Sequence, residues 1–185
     1  MFNGCSGLES LDLSKWDFAG VEIMTYTFAA CENLKDIKFG STTSPNLREL
    51  SYTFNGCKNL DFIKLSNFDF NNVEKMVYTF SDCHKLTSVD FGNIKTHSLV
   101  DVQGLFQNCF ALPTMDLSLF DFTKVTTLEA VFLGCHSLDN VNFGENINTP
   151  VVANMRQTFY DCYALKSVDL SEIRFEKCCN YAGNI

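Results

Sequence analysis

The chain has 185 residues, of which 46% are hydrophobic, 19% are charged and only 3 are proline. This composition excludes a disordered linker, because the chain carries enough apolar surface to build a folded core. Its 22 acidic and 14 basic residues give a formal net charge of −8, which argues against a nucleic-acid-binding protein. No apolar run reaches the roughly 18 residues of a membrane span, so the sequence predicts no direct membrane insertion.

A single pattern, Phe-x-x-Cys, recurs along the whole chain. Its copies are spaced by 26 residues five times and by 27 residues once. We call its members the Phe ladder and the Cys ladder: Phe2 and Cys5, Phe28 and Cys31, Phe54 and Cys57, Phe80 and Cys83, Phe106 and Cys109, Phe132 and Cys135, and Phe159 and Cys162. The seven copies indicate coils that stack on one another, because one such unit cannot enclose a core alone.

Each copy continues with a predicted strand. In the first copy Leu8 follows Cys5 by three residues, and Leu11 and Leu13 then alternate with polar residues. A period of two is typical of a half-buried strand. The sequence therefore predicts one parallel sheet built from residues 8–13 and their six counterparts, with the Phe and Cys ladders inside.

The second half of each copy has a different spacing. Val21 is followed after three residues by Met24, and after four more by the next ladder residue, Phe28. This spacing favours a tight helical turn over a strand. Each coil is thus predicted to contain one strand, one bend and one short helical turn.

A longer period of 52 residues is superimposed on the repeat. After the strand, odd copies carry Ser and Asp, as in the run from Leu65 to Phe70, whereas even copies carry Phe-Gly, as at Phe91 and Gly92. Ser and Asp side chains hydrogen-bond a turning backbone, and Gly adopts backbone angles that strain other residues. Odd and even coils are therefore expected to form their bends by different chemistry.

The repeat positions define seven predicted coils, numbered 1 to 7, in one solenoid segment: 1–27, 28–53, 54–79, 80–105, 106–131, 132–158 and 159–185. The segment is cut from mid-coil to mid-coil, without the polar end caps that soluble solenoids need. We therefore expect it to be part of a longer chain, or to have both ends covered by further repeats or neighbouring subunits.

The stretch 65–86 resembles the repeat of the BspA-like leucine-rich repeat surface proteins, through Leu65-Ser66-Asn67-Phe68-Asp69, Val73, Met76, Phe80, Cys83 and Leu86. The resemblance covers essentially the whole chain, but three phenylalanines stand where the family usually has a small polar residue: Phe18, Phe70 and Phe122. It implies a leucine-rich-repeat-like solenoid, a β-rich right-handed superhelix with one parallel strand and a short helical turn per coil. It also implies a cell-surface or extracellular location.

The nine cysteines could be disulfide-bonded, could bind zinc, or could be buried free thiols. Seven of them form the Cys ladder, where a stacked solenoid spaces neighbours by about 4.8 Å. A linear ladder does not surround a zinc ion with four ligands, and pairwise disulfides would leave one of the seven unpaired. The sequence therefore favours buried free thiols that act as small apolar core residues. Of the other two, Cys178 is expected in the core and Cys179 is the candidate for exposure.

His84 and His136 each follow a ladder Cys directly, which raises the question of a Cys-His metal or nucleophile site. They lie two coils apart, about 10 Å by strand spacing, which is too far to share one ion. The sequence has no phosphate loop, no Ser-His-Asp order and no His-Glu-x-x-His motif. It therefore predicts that the chain is not an enzyme and has no metal or cofactor.

The outward position in each strand forms the predicted binding face. We call these residues the strand row: Asp12, Lys38, Lys64, Asp90, Asp116, Asn142 and Asp169. Solenoids commonly bind partners on such an extended surface. Asp90 and Asp116, on adjacent coils, are interpreted either as a calcium site or as part of a solvated acidic face. Trp16, Phe68 and Phe120 are interpreted either as an exposed patch or as aromatic filling of the bends.

The sequence leaves two functional hypotheses open. The first is a non-enzymatic recognition or adhesion module at the cell surface, which binds a host, matrix or assembly protein through the strand row. The second is a structural spacer in a larger filament, wall or particle, whose coil ends pack on neighbouring subunits. Both hypotheses expect protein partners and no nucleic acid.

Overall fold

The computed structural model describes residues 1–41, 43–144 and 148–170. In these residues the regular secondary structure is six short strands, and no helix is present that could cross a membrane. The strands are β1 (Ser10–Leu13), β2 (Asp36–Phe39), β3 (Phe62–Lys64), β4 (Ser88–Asp90), β5 (Thr114–Asp116) and β6 (Asn140–Asn142). Each strand begins one repeat after the one before it, which confirms a repeat solenoid with the period of the sequence.

The strands pair in parallel, but only two at a time. β1 pairs with β2, β3 with β4, and β5 with β6, always with repeat-equivalent residues side by side. The predicted single sheet of seven strands is therefore wrong. The described residues form three two-stranded sheets, and residues 159–170 of the last coil contain no strand.

The backbone explains one of the breaks between sheets. Just before each even strand, an N–H donates to a carbonyl of the preceding odd coil: Lys35 to Glu9, Thr87 to Asp61, and Asp139 to Pro113. To continue the sheet, an odd coil would have to donate from this position to the preceding even coil. Pro113 has no N–H, so this bond cannot join coil 5 to coil 4.

The connection that runs without interruption lies elsewhere in the coil, at the Val-x-x-Met segment. Single parallel bridges link one residue of each coil to the next through six coils: Ile23, Glu49, Lys75, Asp101, Thr127 and Asn154. The neighbouring N–H groups of residues 24–30 continue the pattern to the next repeat, since Met24 donates to Glu49 O at 2.8 Å and Phe28 donates to Thr53 O at 2.9 Å. We call this segment, residues 23–30 and their equivalents, the inter-coil ladder.

The inter-coil ladder replaces the predicted helical turn. Within residues 24–31, even-numbered residues donate to the equivalent segment of the next repeat, whereas odd-numbered residues from 27 onward donate three residues back, as Thr27 does to Met24 O and Cys31 does to Phe28 O. The third residue of each of these turns has a positive φ, 56° at Tyr26 and 54° at Ala30, as in type II turns. The segment is thus a run of β-turns. It cannot be a helix, because half of its N–H groups donate to the neighbouring coil instead of to a carbonyl within the segment.

The Phe ladder is a continuous stack through the core. Neighbouring rings have centroids 5.4–5.7 Å apart and interplanar angles of 4–9°. The five rings from Phe28 to Phe132 are at most 1% exposed, while Phe2 of the first coil is only partly buried. A cavity lined by residues such as Leu105 and Phe132 has a volume of only about 10 Å³, so the core is close-packed.

The 52-residue period has a structural cause at the bends. A Cβ on Gly40 would lie 2.3 Å from the carbonyl oxygen of Ser14, and a Cβ on Gly92 would lie 2.7 Å from Cβ of Ser66. Gly92 also has a φ of +59°. These contacts join the same coil pairs as the sheets. Glycine in even coils therefore lets each even coil approach the preceding odd coil, and the structural unit is a pair of coils.

This close approach predicts that Gly92→Ala destabilises the fold. A side chain in the left-handed region costs about 1–2 kcal/mol, and the contact with Ser66 adds to that cost. Gly20→Ala is the matched control, because Gly20 has open space around its Cβ position and no positive φ. Urea unfolding should show a clear loss for Gly92→Ala and a change of at most about 1 kcal/mol for Gly20→Ala. Equal effects would contradict the paired-coil interpretation.

Candidate interaction surface

The structure places most of the strand row on the surface. Asp90 is half-buried, and six members are exposed: Asp12, Lys38, Lys64, Asp116, Asn142 and Asp169. Sheet pairing sets opposite charges side by side, Asp12 with Lys38 and Lys64 with Asp90. Cross-strand pairs of opposite charge are mildly stabilising. Within each of these two sheets the strand row therefore carries one acid beside one lysine, so its first four members read negative, positive, positive, negative.

The acidic members of the strand row also shape the bends. Asp12 Oδ1 accepts a hydrogen bond from the Ser14 N–H at 2.9 Å, and Asp116 Oδ1 accepts one from the Ser118 N–H at 2.9 Å. Hydrogen bonds from the serine two residues on lower the pKa of both carboxyl groups. The spacing Asp-x-Ser in the sequence indicates such a turn, because an Asp side chain commonly accepts a hydrogen bond from the backbone N–H two residues later.

The two acids considered as a calcium site do not come together as one. Asp90 lies on β4 and Asp116 on β5, and these strands belong to different sheets. Asp116 Oδ1 instead accepts a hydrogen bond from Asn142 Nδ2 at 3.2 Å. Among the residues that the structure describes, no group of three or more His, Cys, Asp or Glu side chains is placed to hold a metal ion.

The Cys ladder makes a repeated hydrogen bond that the sequence analysis missed. Each thiol from coil 2 onward donates from Sγ to the carbonyl of the preceding ladder Phe at 3.1–3.2 Å. Five of these cysteines are fully buried, Cys162 is half-buried and Cys5 is exposed. Burial raises the pKa of Cys57 to about 12 and the pKa of Cys83 well above its ordinary value. The buried thiols therefore stay protonated, and Cys178 and Cys179 lie outside the described residues.

His84 and His136 belong to a stack of rings on the surface. Phe110 lies between them, with its centroid 4.4 Å from that of His84 and 4.6 Å from that of His136. Tyr163 continues the stack, 5.1 Å beyond His136. We call these four residues the ring row. A ring between the two imidazoles separates them, so they do not form a joint site.

A second aromatic stack lies on the inter-coil ladder. Tyr26, Tyr52 and Tyr78 have neighbouring centroids 4.6 and 5.2 Å apart. The stack stops at Gly104, where an added Cβ would lie 2.2 Å from the ring of Tyr78. The hydroxyl of Tyr78 accepts a hydrogen bond from Gln103 Nε2 at 3.2 Å. Tyr78 therefore covers the glycine and is tied to the coil that follows.

The aromatic residues of the bends divide between core and surface. Phe68 and Phe120 are 8% and 7% exposed, so these two fill the bends. Trp16 is 44% exposed, and its ring centroid lies 6.3 Å from that of Phe2. The stripe is thus not a continuous exposed patch.

Comparison with known protein families finds one family whose model matches most of this chain. A family model described as "Mycoplasma protein of unknown function, DUF285" matches residues 1–44 and 48–173. Among solved structures, the chain is similar to a leucine-rich repeat protein from Bacteroides ovatus ATCC 8483, at 20% sequence identity and a TM-score of 0.36. That match covers 90% of this chain and 56% of the other, so this chain spans little more than half its length. Curated proteins give no significant match.

The buried thiols predict a sharp difference in reactivity along the Cys ladder. In the native protein iodoacetamide should modify Cys5 readily, because this thiol is exposed. Cys57, Cys83 and Cys109 should react only after unfolding, since they are buried and their pKa values are raised. Peptide mapping after a second label is added in urea would measure both classes. Native labelling of Cys83, or linked cysteine pairs in the unreduced protein, would refute this expectation.

The turn-forming carboxylates predict a loss of stability in acid. The pKa of Asp116 is lowered in the folded state, so its contribution is present above the unfolded value of about 3.9 and is lost as pH falls through the folded value. Asp116→Asn removes this titration but can keep the turn, because Asn142 Oδ1 accepts the same bond from Gly144. In urea unfolding, the stability of wild type relative to Asp116→Asn should be constant from about pH 7 to about pH 5 and should fall progressively at lower pH. A difference that stays constant below about pH 5 as well would contradict the assignment.

Proposed function

We propose that this chain, which belongs to the family described as Mycoplasma protein of unknown function, DUF285, is a non-enzymatic module that recognises protein partners. The observation that carries the proposal is the order of its surface. Repeat-equivalent side chains lie side by side on the outside of a backbone in which each coil is bonded to the next. Repeat proteins use such extended surfaces for binding.

The packing of the interior supports binding at the surface. The cavity beside Leu105 and Phe132 has a volume of about 10 Å³, which is about the space of one water molecule. A groove lined by Lys35, Asn59, Asp61, Lys85 and Ala111 has a volume of about 520 Å³ and is broadly open to solvent. A partner would therefore lie along the coils, where the positive and negative charges of the strand row orient it and suppress wrong registers.

The chemistry of the cysteines supports a role without catalysis. A nucleophilic cysteine needs a lowered pKa, and burial raises the pKa of the ladder thiols instead. Each of these thiols donates a hydrogen bond to a backbone carbonyl of the neighbouring coil, as Cys83 does to Phe54. The residue type best suited to covalent chemistry is thus used to hold coils together.

The finer description of the fold belongs to the same proposal. We propose that the coils wind as a right-handed superhelix of the leucine-rich-repeat type, because connections between parallel strands of one sheet are almost always right-handed. The resemblance of the repeat to BspA-like proteins supports this description and supports display at the cell surface as a recognition or adhesion module.

A second candidate function, the structural spacer, draws on the first coil. Phe2 is half-buried, Cys5 is exposed and Leu8 is only partly buried, although their equivalents in central coils lie in the core. A further repeat or a neighbouring subunit could pack on these residues of coil 1. Association through coil ends would be driven by apolar burial, so it would depend little on salt.

The strand row gives the experiment that separates the two functions. Asp90→Asn with Asp116→Asn removes two charges while keeping side chains that can form the same turns. Glu22→Gln with Glu74→Gln is the matched control, since both are exposed and lie outside the strand row. A partner captured by the tagged wild-type protein would be purified, and its affinity for each variant measured over a series of salt concentrations.

The recognition function predicts that the strand-row variant loses affinity and salt dependence, while the control changes neither. Each lost charge contact at the rim of an interface is worth up to about 1 kcal/mol, so the expected loss is roughly threefold to thirtyfold. Unchanged affinity in both double variants, together with loss of association after Leu8→Asp at the first coil, would replace the recognition function by the spacer.

A further inference from the structure

The position directly after each ladder Cys changes character halfway along the solenoid. In the first three coils it carries Ser6, Glu32 and Lys58, and Lys58 Nζ forms an ion pair with Glu32 Oε1 at 2.9 Å. In the last four coils it carries the ring row, defined above. The same position of the repeat therefore carries an ion pair in coils 2 and 3 and stacked rings in coils 4 to 7.

The rings of this row do not belong to the core. The core has its own stack, the Phe ladder, whose central members are at most 1% exposed. By contrast, Phe110 is half-buried, His136 is exposed and Tyr163 is 74% exposed. Exposed aromatic residues that are grouped in this way are typical of interaction sites.

The stack determines which part of each ring meets solvent. Both faces of Phe110 are covered, because His84 and His136 lie parallel to it at interplanar angles of 18° and 4°. Both faces of His136 are covered as well, by Phe110 and Tyr163. The exposed part of these inner rings is consequently the edge that points away from the coil.

Ring edges select a partner by their charge distribution. An aromatic ring has a negative face and a positive edge, and rings therefore prefer edge-to-face contacts. The row, with ring centroids 4.4–5.1 Å apart, presents the positive rim of Phe110 beside the C–H and N–H groups of the imidazole rims. The group that best complements this surface is the electron-rich face of another aromatic ring.

We propose that the ring row is a binding site for an aromatic side chain of a protein partner, which lays its face across the edges of Phe110 and His136. The proposal rests on the proposed protein-recognition function and adds a partner chemistry and a second surface to it. Mutual stacking holds the row in place before binding, so little side-chain freedom remains to be lost. Tyr160, 42% exposed on the last coil, enlarges the aromatic area next to Tyr163.

The probe for this site is N-acetyl-tryptophanamide, with N-acetyl-leucinamide as the aliphatic comparison. Titration into isotope-labelled protein, followed by two-dimensional NMR, would report the residues that respond to each compound. Phe110→Leu removes the central ring of the row. Phe62→Leu is the matched control, because Phe62 is 48% exposed and no ring contact is recorded for it within the described residues. His136→Leu serves as a second row variant if Phe110→Leu does not fold.

We expect the tryptophan compound to shift signals around Phe110 and His136 more than around Phe62, and the leucine compound to give no such pattern. Phe110→Leu should weaken this binding by roughly threefold to tenfold, since an aromatic pair is worth about 0.5–1.5 kcal/mol. Phe62→Leu should leave it unchanged. Shifts at all exposed rings in proportion to exposure, or equal losses in the two variants, would overturn the site.

A purely stabilising role of the row is also distinguishable. In that case Phe110→Leu would lower the free energy of unfolding without changing the response to the tryptophan compound, which refutes the proposed site. Loss of the site would leave the recognition function standing if partner binding still depends on Asp90 and Asp116. Conversely, a responsive ring row with no effect of those two acids would leave the site standing and move recognition away from the strand row.

Discussion

The structure depends on two alternating kinds of hydrogen bond made by the backbone N–H groups of the inter-coil ladder. In residues 24–31, alternate N–H groups bond the next coil, and the N–H groups between them close β-turns within the coil. Neither a helix nor a strand satisfies both directions at once, because a helix uses its N–H groups internally and a strand uses none of them internally. The positive φ at Tyr26 and Ala30 follows from this constraint. Every coil is thereby fixed at the spacing at which the Phe ladder stacks.

Side chains reinforce this backbone in the same direction. Ladder thiols donate to the preceding coil, and the buried hydroxyl of Thr53 donates to Leu50 O and lies 3.0 Å from Met24 O. Because backbone and buried side-chain hydrogen bonds hold the coils together, exposed positions can vary between coils without loss of the fold. The position after the ladder Cys illustrates this freedom, since it carries an ion pair in coils 2 and 3 and stacked rings in later coils. Such variation on a constant frame is what a binding surface requires.

Sequence periodicity predicted the repeat and the place of each strand, because burial of one apolar row leaves a direct imprint on the residue pattern. β1, for example, lies within the predicted segment 8–13. Pattern alone did not predict how the strands pair, since the missing N–H of Pro113 matters only when the donor direction is known. The prediction of a helical turn was wrong because a spacing of three or four residues fits a run of β-turns equally well. The ring row was missed because it is a contact between coils, and its position is occupied by three different kinds of residue, His, Phe and Tyr, in these coils.

The Phe stack gives the most direct test that the coils are held together by their neighbours. Phe80 has ladder rings 5.5 Å away on both sides, whereas Phe2 has one such ring at 5.6 Å. Truncation of a fully buried Phe costs about 3–5 kcal/mol, and a partly buried one costs less. Urea unfolding of Phe80→Ala and Phe2→Ala should therefore show a much larger loss of stability for Phe80→Ala. Equal losses in the two variants would contradict a fold stabilised by stacking of successive coils.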